Sequence, residues 1–249
     1  MTTILIDEAR ILAGKVASRY PTPRFYAEKG EELDLSRKVY DLDETVNRFR
    51  RHLVKLGNDF GHGINHSELV AIDSGAIVAA EMTDNKDAIF EWIACTQTAG
   101  LLHDIKRKEK DHAKKSADEA KKLLKDVPIK ERYRSIIVYA IRNHEAFKEE
   151  IPTNDDMGRL ISDALYDADK FRWGPDNFTT TLWDMLGYAK INIELFLTGY
   201  KKGIDGIKRI KETFRTKTGK EYGPEFIDLG LKIGDEIYKE IINIKRGKA

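Results

Sequence analysis

The stretch TAGLLHDIKRKEKDH, residues 98–112, sets a histidine beside an aspartate where a near-apolar segment gives way to a block of charge. A solvated helix end accounts for the charge but not for the pairing of His103 with Asp104. Imidazole nitrogen and carboxylate oxygen together suit borderline divalent cations, whereas Ca takes oxygen ligands alone. Neighbouring helical residues diverge by about 100° around the axis, so the doublet meets one ion only from beside its helix. Two such groups need partners from other helices.

The sequence offers those partners. Among its six histidines, His62 and His66 stand four apart in FGHGINHSELVAIDSG, and share a helix face with Asp73 if both are helical. Gly61 and Gly63 leave open whether His62 lies on the entry turn instead. His144 falls in IRNHEAF, near the end of a helical pattern, and ISDALYDADKFRW carries Asp163, Asp167 and Asp169 on one amphipathic helix. A carboxylate near the C-terminal end of a helix, as Asp169 is, needs positive compensation. A divalent cation supplies it, and so does Lys170 or Arg172. His66, His144 and Asp169 are thus the groups available to join the doublet. Read from residues alone, His62 and His144 also fit as hydrogen-bonded boundary histidines. His52, after Arg50-Arg51, and His112, inside a charge run, carry no functional reading.

The elements that must position these groups read as helices throughout. YDLDETVNRFRRHLVKLGNDF is amphipathic, and SELVAIDSGAIVAAEM is apolar enough to be buried. SADEAKKLLKDV opens with Ser116 ahead of Glu119, a capping-box spacing. Pro128 precedes IKERYRSIIVYAIRNHEAFKEE, and Pro152-Thr153-Asn154 stops that helix and caps the next. The segment FRWGPDNFTT, from Phe171 to Thr180, is the clearest non-helical interval in the second half. The expectation is an all-α protein of about nine or ten helices.

Lys+Arg and Asp+Glu number 43 and 42, for a net charge of +1, so no general polyanion-binding signature exists. The single cysteine, Cys95, excludes an intrachain disulfide and fits a reducing cytosol. The N-terminus has no uninterrupted apolar run, and no stretch approaches the roughly 18 apolar residues of a membrane span. A cytoplasmic protein is expected.

Taken in order, these motifs resemble the HD-domain metal-dependent phosphohydrolase superfamily, whose ligands come as His … His-Asp … Asp from separate helices of an all-α fold. HGINHSELV carries the first His, AGLLHDIKR the doublet and LYDADKFRW the last Asp. The resemblance implies metal ligation by His66, His103, Asp104 and Asp169, with Asp167 the alternative at the last position. It places His144 in or beside the centre, where several branches carry an extra His. It covers roughly Asp43 to Trp173 and is closest to the small stand-alone branch with IRNH and DADK elements, some members of which hydrolyse nucleotides. Residues 1–249 then form a single HD-type helical bundle, with a motif-bearing core at about 43–173 and additional C-terminal helices at about 179–246.

The chemistry implied is cleavage of a phosphate ester or anhydride, of a nucleotide above all, by metal-activated water. Manganese, iron or cobalt is favoured, with Zn, Ni or Mg as alternatives. Asp104 bridges or orients, while Arg107 and Lys106 contact substrate phosphate. Arg142, Lys170 and Arg172 add positive charge that favours a triphosphate over a monophosphate. Trp173 and Phe178 are read as core lids rather than base-stacking groups. The expected partner is a small phosphorylated molecule, with no nucleic acid and no membrane, and the apolar stripes of the C-terminal helices allow a homo-oligomer. Two departures stand out: Arg107 replaces an acid that some branches carry three residues after the doublet, and Lys106 replaces a frequent glycine. The adjacent His pair and GYP element of cyclic-dinucleotide phosphodiesterases are absent. The missing acid supports a competing reading, a non-catalytic helical metal- or nucleotide-binding regulatory protein.

Overall fold

The computed structural model describes residues 5–56, 63–82 and 88–247, so His62 lies outside the described residues. Every regular element among the described residues is helical. In order they are α1 (Ile6–Ala17), α2 (Phe25–Glu28), α3 (Gly30–Leu42), α4 (Glu44–Leu56), α5 (Gly63–Glu81), α6 (Ile89–Leu102), α7 (His112–Leu123), α8 (Glu131–Arg142), α9 (Asp156–Phe171), α10 (Leu182–Tyr188), α11 (Ile193–Ile210) and α12 (Lys217–Lys245). The fold class is all-α.

Several boundaries differ from those the pattern suggests, each for a local reason. The segment around YDLDETVNRF breaks at Asp43, whose backbone is extended (φ −72°, ψ 127°). Its Oδ1 accepts the Val46 N–H at 2.9 Å, an N-cap that starts α4 afresh. Helix α7 begins one turn before Ser116, so Ser116 does not cap it. Its buried Oγ instead accepts the Lys106 N–H at 3.1 Å and ties down the chain after the His-Asp doublet. The N-terminal turn of α9 is held by Asp155 rather than by Pro152-Thr153-Asn154: Asp155 Oδ1 accepts the Gly158 N–H at 3.0 Å. Helix α8 stops at Arg142, which leaves His144 just beyond it. The FRWGPDNFTT interval is largely ordered helix-like chain, with a π-helical turn over Asn177–Thr181.

Two compact units make up the chain. One comprises residues 1–24, 171–213 and 222–249, the other residues 25–170 and 214–221. In the first, Phe171 stacks on Phe226 with ring centroids 4.2 Å apart, and buried Trp183 donates from Nε1 to Phe178 O at 2.6 Å. Phe178 is itself buried.

The second unit is organised around α5 and α6. Both helices are apolar almost all round, as helices enclosed by other elements must be. Val70, Ala71, Ile77, Ile93, Ala99 and Leu102 are fully buried along them. Their packing partner α3 is fastened by a polar relay: Gln97 Nε2 donates to Ser36 O at 2.7 Å, and Ser36 Oγ donates to Ile72 O at 2.7 Å. The helices touch most closely at Gly100, where an added Cβ would lie 2.8 Å from Ala71 Cα and 2.9 Å from Ala71 N. Backbone cannot yield as a side chain can. Gly100→Ala is therefore expected to destabilise the protein by about 1–3 kcal/mol, the usual cost of overpacking. An unchanged urea midpoint would contradict this close approach.

Candidate metal centre

Four separate stretches of the second unit deliver side chains to one buried cluster. His66 comes from the first turn of α5, His103 and Asp104 follow the end of α6, His144 follows α8, and Asp169 lies in the last turn of α9. All five are buried, His103 completely so. His66 Nε2 lies 3.3 Å from His103 Nε2 and 3.3 Å from Asp169 Oδ1, and His103 Nε2 lies 3.7 Å from that oxygen. On the other side of His103, Asp104 Oδ2 is 3.6 Å from its Nε2, and Asp104 Oδ1 is 3.3 Å from His144 Nε2. Two triads with metal-ligating spacing result, His66–His103–Asp169 and His103–Asp104–His144, joined at His103.

The donor set fits a divalent cation on three grounds. First, ligand atoms about 2.1 Å from a common ion and tetrahedrally disposed are about 3.4 Å apart, close to the separations here. Second, the tautomers are set. His103 Nδ1 donates to Gly100 O at 2.7 Å and His144 Nδ1 donates to Ile141 O at 2.6 Å. With Nδ1 engaged, each ring turns its Nε2 towards the cluster, the arrangement usual in metal-ligating histidines. Third, Asp104 Oδ1 and His144 Nε2 are buried without a hydrogen-bond partner despite their proximity. Buried polar atoms of this kind normally have a partner, and an ion is one.

Charge is arranged to keep the carboxylates ionised. Burial favours the neutral acid at Asp104, but His103, His144 and Arg107 outweigh it and hold the carboxyl well below the usual range. Burial likewise opposes ionisation of Asp169, and Lys170, His103 and His66 overcome it. Burial lowers the pKa of His66 and so favours the neutral, ligating imidazole. Lys170 is the compensation required at the end of α9: its Nζ donates to Asp169 Oδ2 at 2.5 Å and to His144 O at 3.1 Å. That leaves Asp169 Oδ1 directed at the two histidines.

Asp167, two residues earlier, is used differently. Its Oδ1 accepts the Arg215 N–H at 2.9 Å, and its Oδ2 accepts from Thr216 N at 2.8 Å and Thr216 Oγ1 at 2.7 Å. Both oxygens clasp the 214–221 segment rather than the cluster. Glu81 does similar work, its Oε1 accepting from Thr218 N and Thr218 Oγ1 at 2.6 Å each. Asp73 accepts from Tyr26 Oη at 2.9 Å.

The sequence reading missed His112. The residue at position 111 takes a left-handed conformation (φ 56°), and α7 starts directly after it. His112 Nε2 is then 3.5 Å from Asp104 Oδ1 and accepts from Arg107 NH1 at 2.7 Å. Burial lowers its pKa, so it stands as a neutral acceptor for Arg107. The only sequence signal was the five-residue spacing from Arg107.

Arg107 does return towards the centre, with Nε 3.7 Å from Asp104 Oδ2 and a third of its side chain exposed. Of the other cations counted there, Lys106, Lys170 and Arg172 are engaged within the protein. Lys106 Nζ is 3.7 Å from Glu109 Oε1, Lys170 is buried against Asp169, and Arg172 NH1 donates to Asp176 Oδ2 at 2.5 Å. Of the five cations counted in favour of a triphosphate, Arg142 lines a groove that no cluster residue lines, and Arg107 stands beside Asp104 with an exposed edge.

Comparison with family models, with curated proteins and with solved structures returned no match for this chain. What the geometry defines is an all-α protein carrying a buried His/His-Asp/Asp cluster able to hold a divalent metal, consistent with an HD-type motif.

Proposed function

We propose that this protein is a divalent-metal-dependent phosphohydrolase of the HD superfamily, cleaving a phosphate ester or phosphoanhydride bond of a nucleotide in the cytoplasm. The observation that carries the reading is the convergence of His66, His103, Asp104 and Asp169, in the motif order His … His-Asp … Asp, with Nε2 of His103 held inward. These four residues would hold the ion, with His144 beside Asp104 as a fifth ligand or as the support of a second ion. An ion bound there supplies Lewis-acid polarisation of a phosphoryl oxygen and brings the pKa of a bound water towards neutrality. Mn, Fe or Co suits this nitrogen-rich set better than Mg.

The chain's own residues do the rest. Lys170 fixes the Asp169 carboxylate, and the Gly100 and Ile141 carbonyls fix the rings of His103 and His144. Arg107, held by His112 yet open to solvent on one edge, stands where its guanidinium can meet the equatorial oxygens of a phosphoryl group. Arg107→Ala is expected to lower kcat/KM by about 10- to 100-fold with bound metal unchanged. Loss of metal in this variant would assign Arg107 to the centre's assembly instead.

The second reading, a regulatory protein using the same centre without turnover, draws on Arg107 standing in place of an acid. A metal-supplemented screen of nucleoside mono-, di- and triphosphates, with product identification, separates the two. Hydrolysis that depends on added metal supports the enzyme, and tight binding of a nucleotide without product supports the regulator.

A further inference from the structure

A groove of about 970 Å³ lies between α7 and α8 in the second unit, and no residue of the metal cluster lines it. Ala117, Val138, Tyr139 and Ile151 give it an apolar lining. Two of these are locked in place: Tyr139 Oη donates to Ile151 O at 2.8 Å, and Ile151 N donates to Asn143 Oδ1 at 3.0 Å. The cations along the groove divide into spent and unspent. Arg134 donates to the Leu124 and Val127 carbonyls and pairs with Glu131, and Lys122 pairs with Glu119. Lys121, Lys125 and Arg142 also line the groove, and none has an ion pair among the described residues. The only acid on the groove without a cation partner is Asp118.

Lys121 lies in the last turn of α7, Lys125 in the turn that follows the end of that helix, and Arg142 at the C-terminal end of the facing helix α8, and all three line the groove. A surface that leaves three cations unpaired around a rigid apolar trough is complementary to a ligand with several negative charges and a flat apolar part. Phosphate suits the cations, because a guanidinium offers it a planar two-donor fork and each ammonium a point charge. An immobilised tyrosine ring suits a planar base. The volume falls within the roughly 300–1,000 Å³ of small-molecule sites, so one nucleotide-sized molecule fits.

We propose that this groove binds a nucleoside polyphosphate, at a site separate from the metal centre and independent of turnover there. The test is equilibrium binding of ATP to the full chain in excess EDTA, where the metal centre cannot contribute through an ion. Saturable binding at about one ATP per chain is expected, and Lys121→Glu/Lys125→Glu should weaken it by at least about tenfold, as should Arg142→Ala. A charge-matched control in exposed lysines off the groove, Lys38→Glu/Lys115→Glu, should leave it within about twofold. Inorganic tripolyphosphate should bind at least about tenfold more weakly than ATP, because it lacks the flat apolar part. Absence of saturable binding overturns the proposal. Equal weakening by the control pair overturns it in favour of diffuse attraction, and loss of binding in Arg107→Ala alone places the nucleotide at the metal centre. Equal affinity for tripolyphosphate, or tighter binding of hexaglutamate, overturns the nucleotide as occupant.

Discussion

Asp104→Asn is expected to weaken divalent-metal binding by more than the roughly 10- to 100-fold typical of an outer supporting partner, and to abolish hydrolysis with it. Asp104 is surrounded by His103 at 3.6 Å, His144 at 3.3 Å, His112 at 3.5 Å and Arg107 at 3.7 Å. Among the described residues it is the only carboxylate paired with both His144 and His112. An amide keeps the shape but loses the negative charge, and its oxygen is a weaker ligand for a borderline cation. The fold should survive, because both carboxylate oxygens face the cluster rather than a structural hydrogen bond; Oδ1 has none. Isothermal titration of metal-free protein with Mn, paired with a thermal melt, reads both quantities. Wild-type metal affinity in a folded variant would remove Asp104 from the centre.

Asp167→Ala should have the largest effect on stability, about 2–4 kcal/mol, with metal affinity nearly unchanged. The substitution orphans three donors at once: half-buried Arg215 N, and buried Thr216 N and Thr216 Oγ1. It also empties the space against which Gly219 packs, where an added Cβ would come within 2.0 Å of Asp167 Oδ2. Each orphaned donor costs about 1–3 kcal/mol, which would sum higher. Burial offsets part of that cost, since it pushes the wild-type carboxyl up to about 7 against the pull of those donors. Urea denaturation is the measurement, and a midpoint equal to wild type would mean that the 214–221 segment is held by other contacts.

The contrast between Asp167 and Asp169 shows what the sequence made legible. Motif order brought out His66, the His103–Asp104 doublet and a last aspartate in DADK, and the structure gathers them. The choice between two aspartates on one helix was open from spacing. They differ by about 200° around the axis, so only the positions of neighbouring segments decide which one faces the cluster. The clasp at Asp167 depends on residues some fifty positions later, a long-range contact that no local pattern encodes. The helical class was legible because the apolar period is carried along the chain. The helix breaks at Asp43 and before His144 were not, since each is set by a single side chain or by what the helix end must reach. His112 was hidden in a run of lysines and acids, where charge normally marks a solvated face. Its direction comes from the left-handed residue before it and from the Lys106–Ser116 bond across the loop.

The most direct test of the account is anomalous scattering from crystals of the Mn-loaded protein, collected with metal analysis of the same sample. The account predicts at least one Mn per chain, with a peak bounded by His66 Nε2, His103 Nε2, Asp104 and Asp169 Oδ1 at about 2.0–2.3 Å. A protein that takes up no stoichiometric Mn, Fe or Co, or a peak lying outside those four side chains, would contradict it.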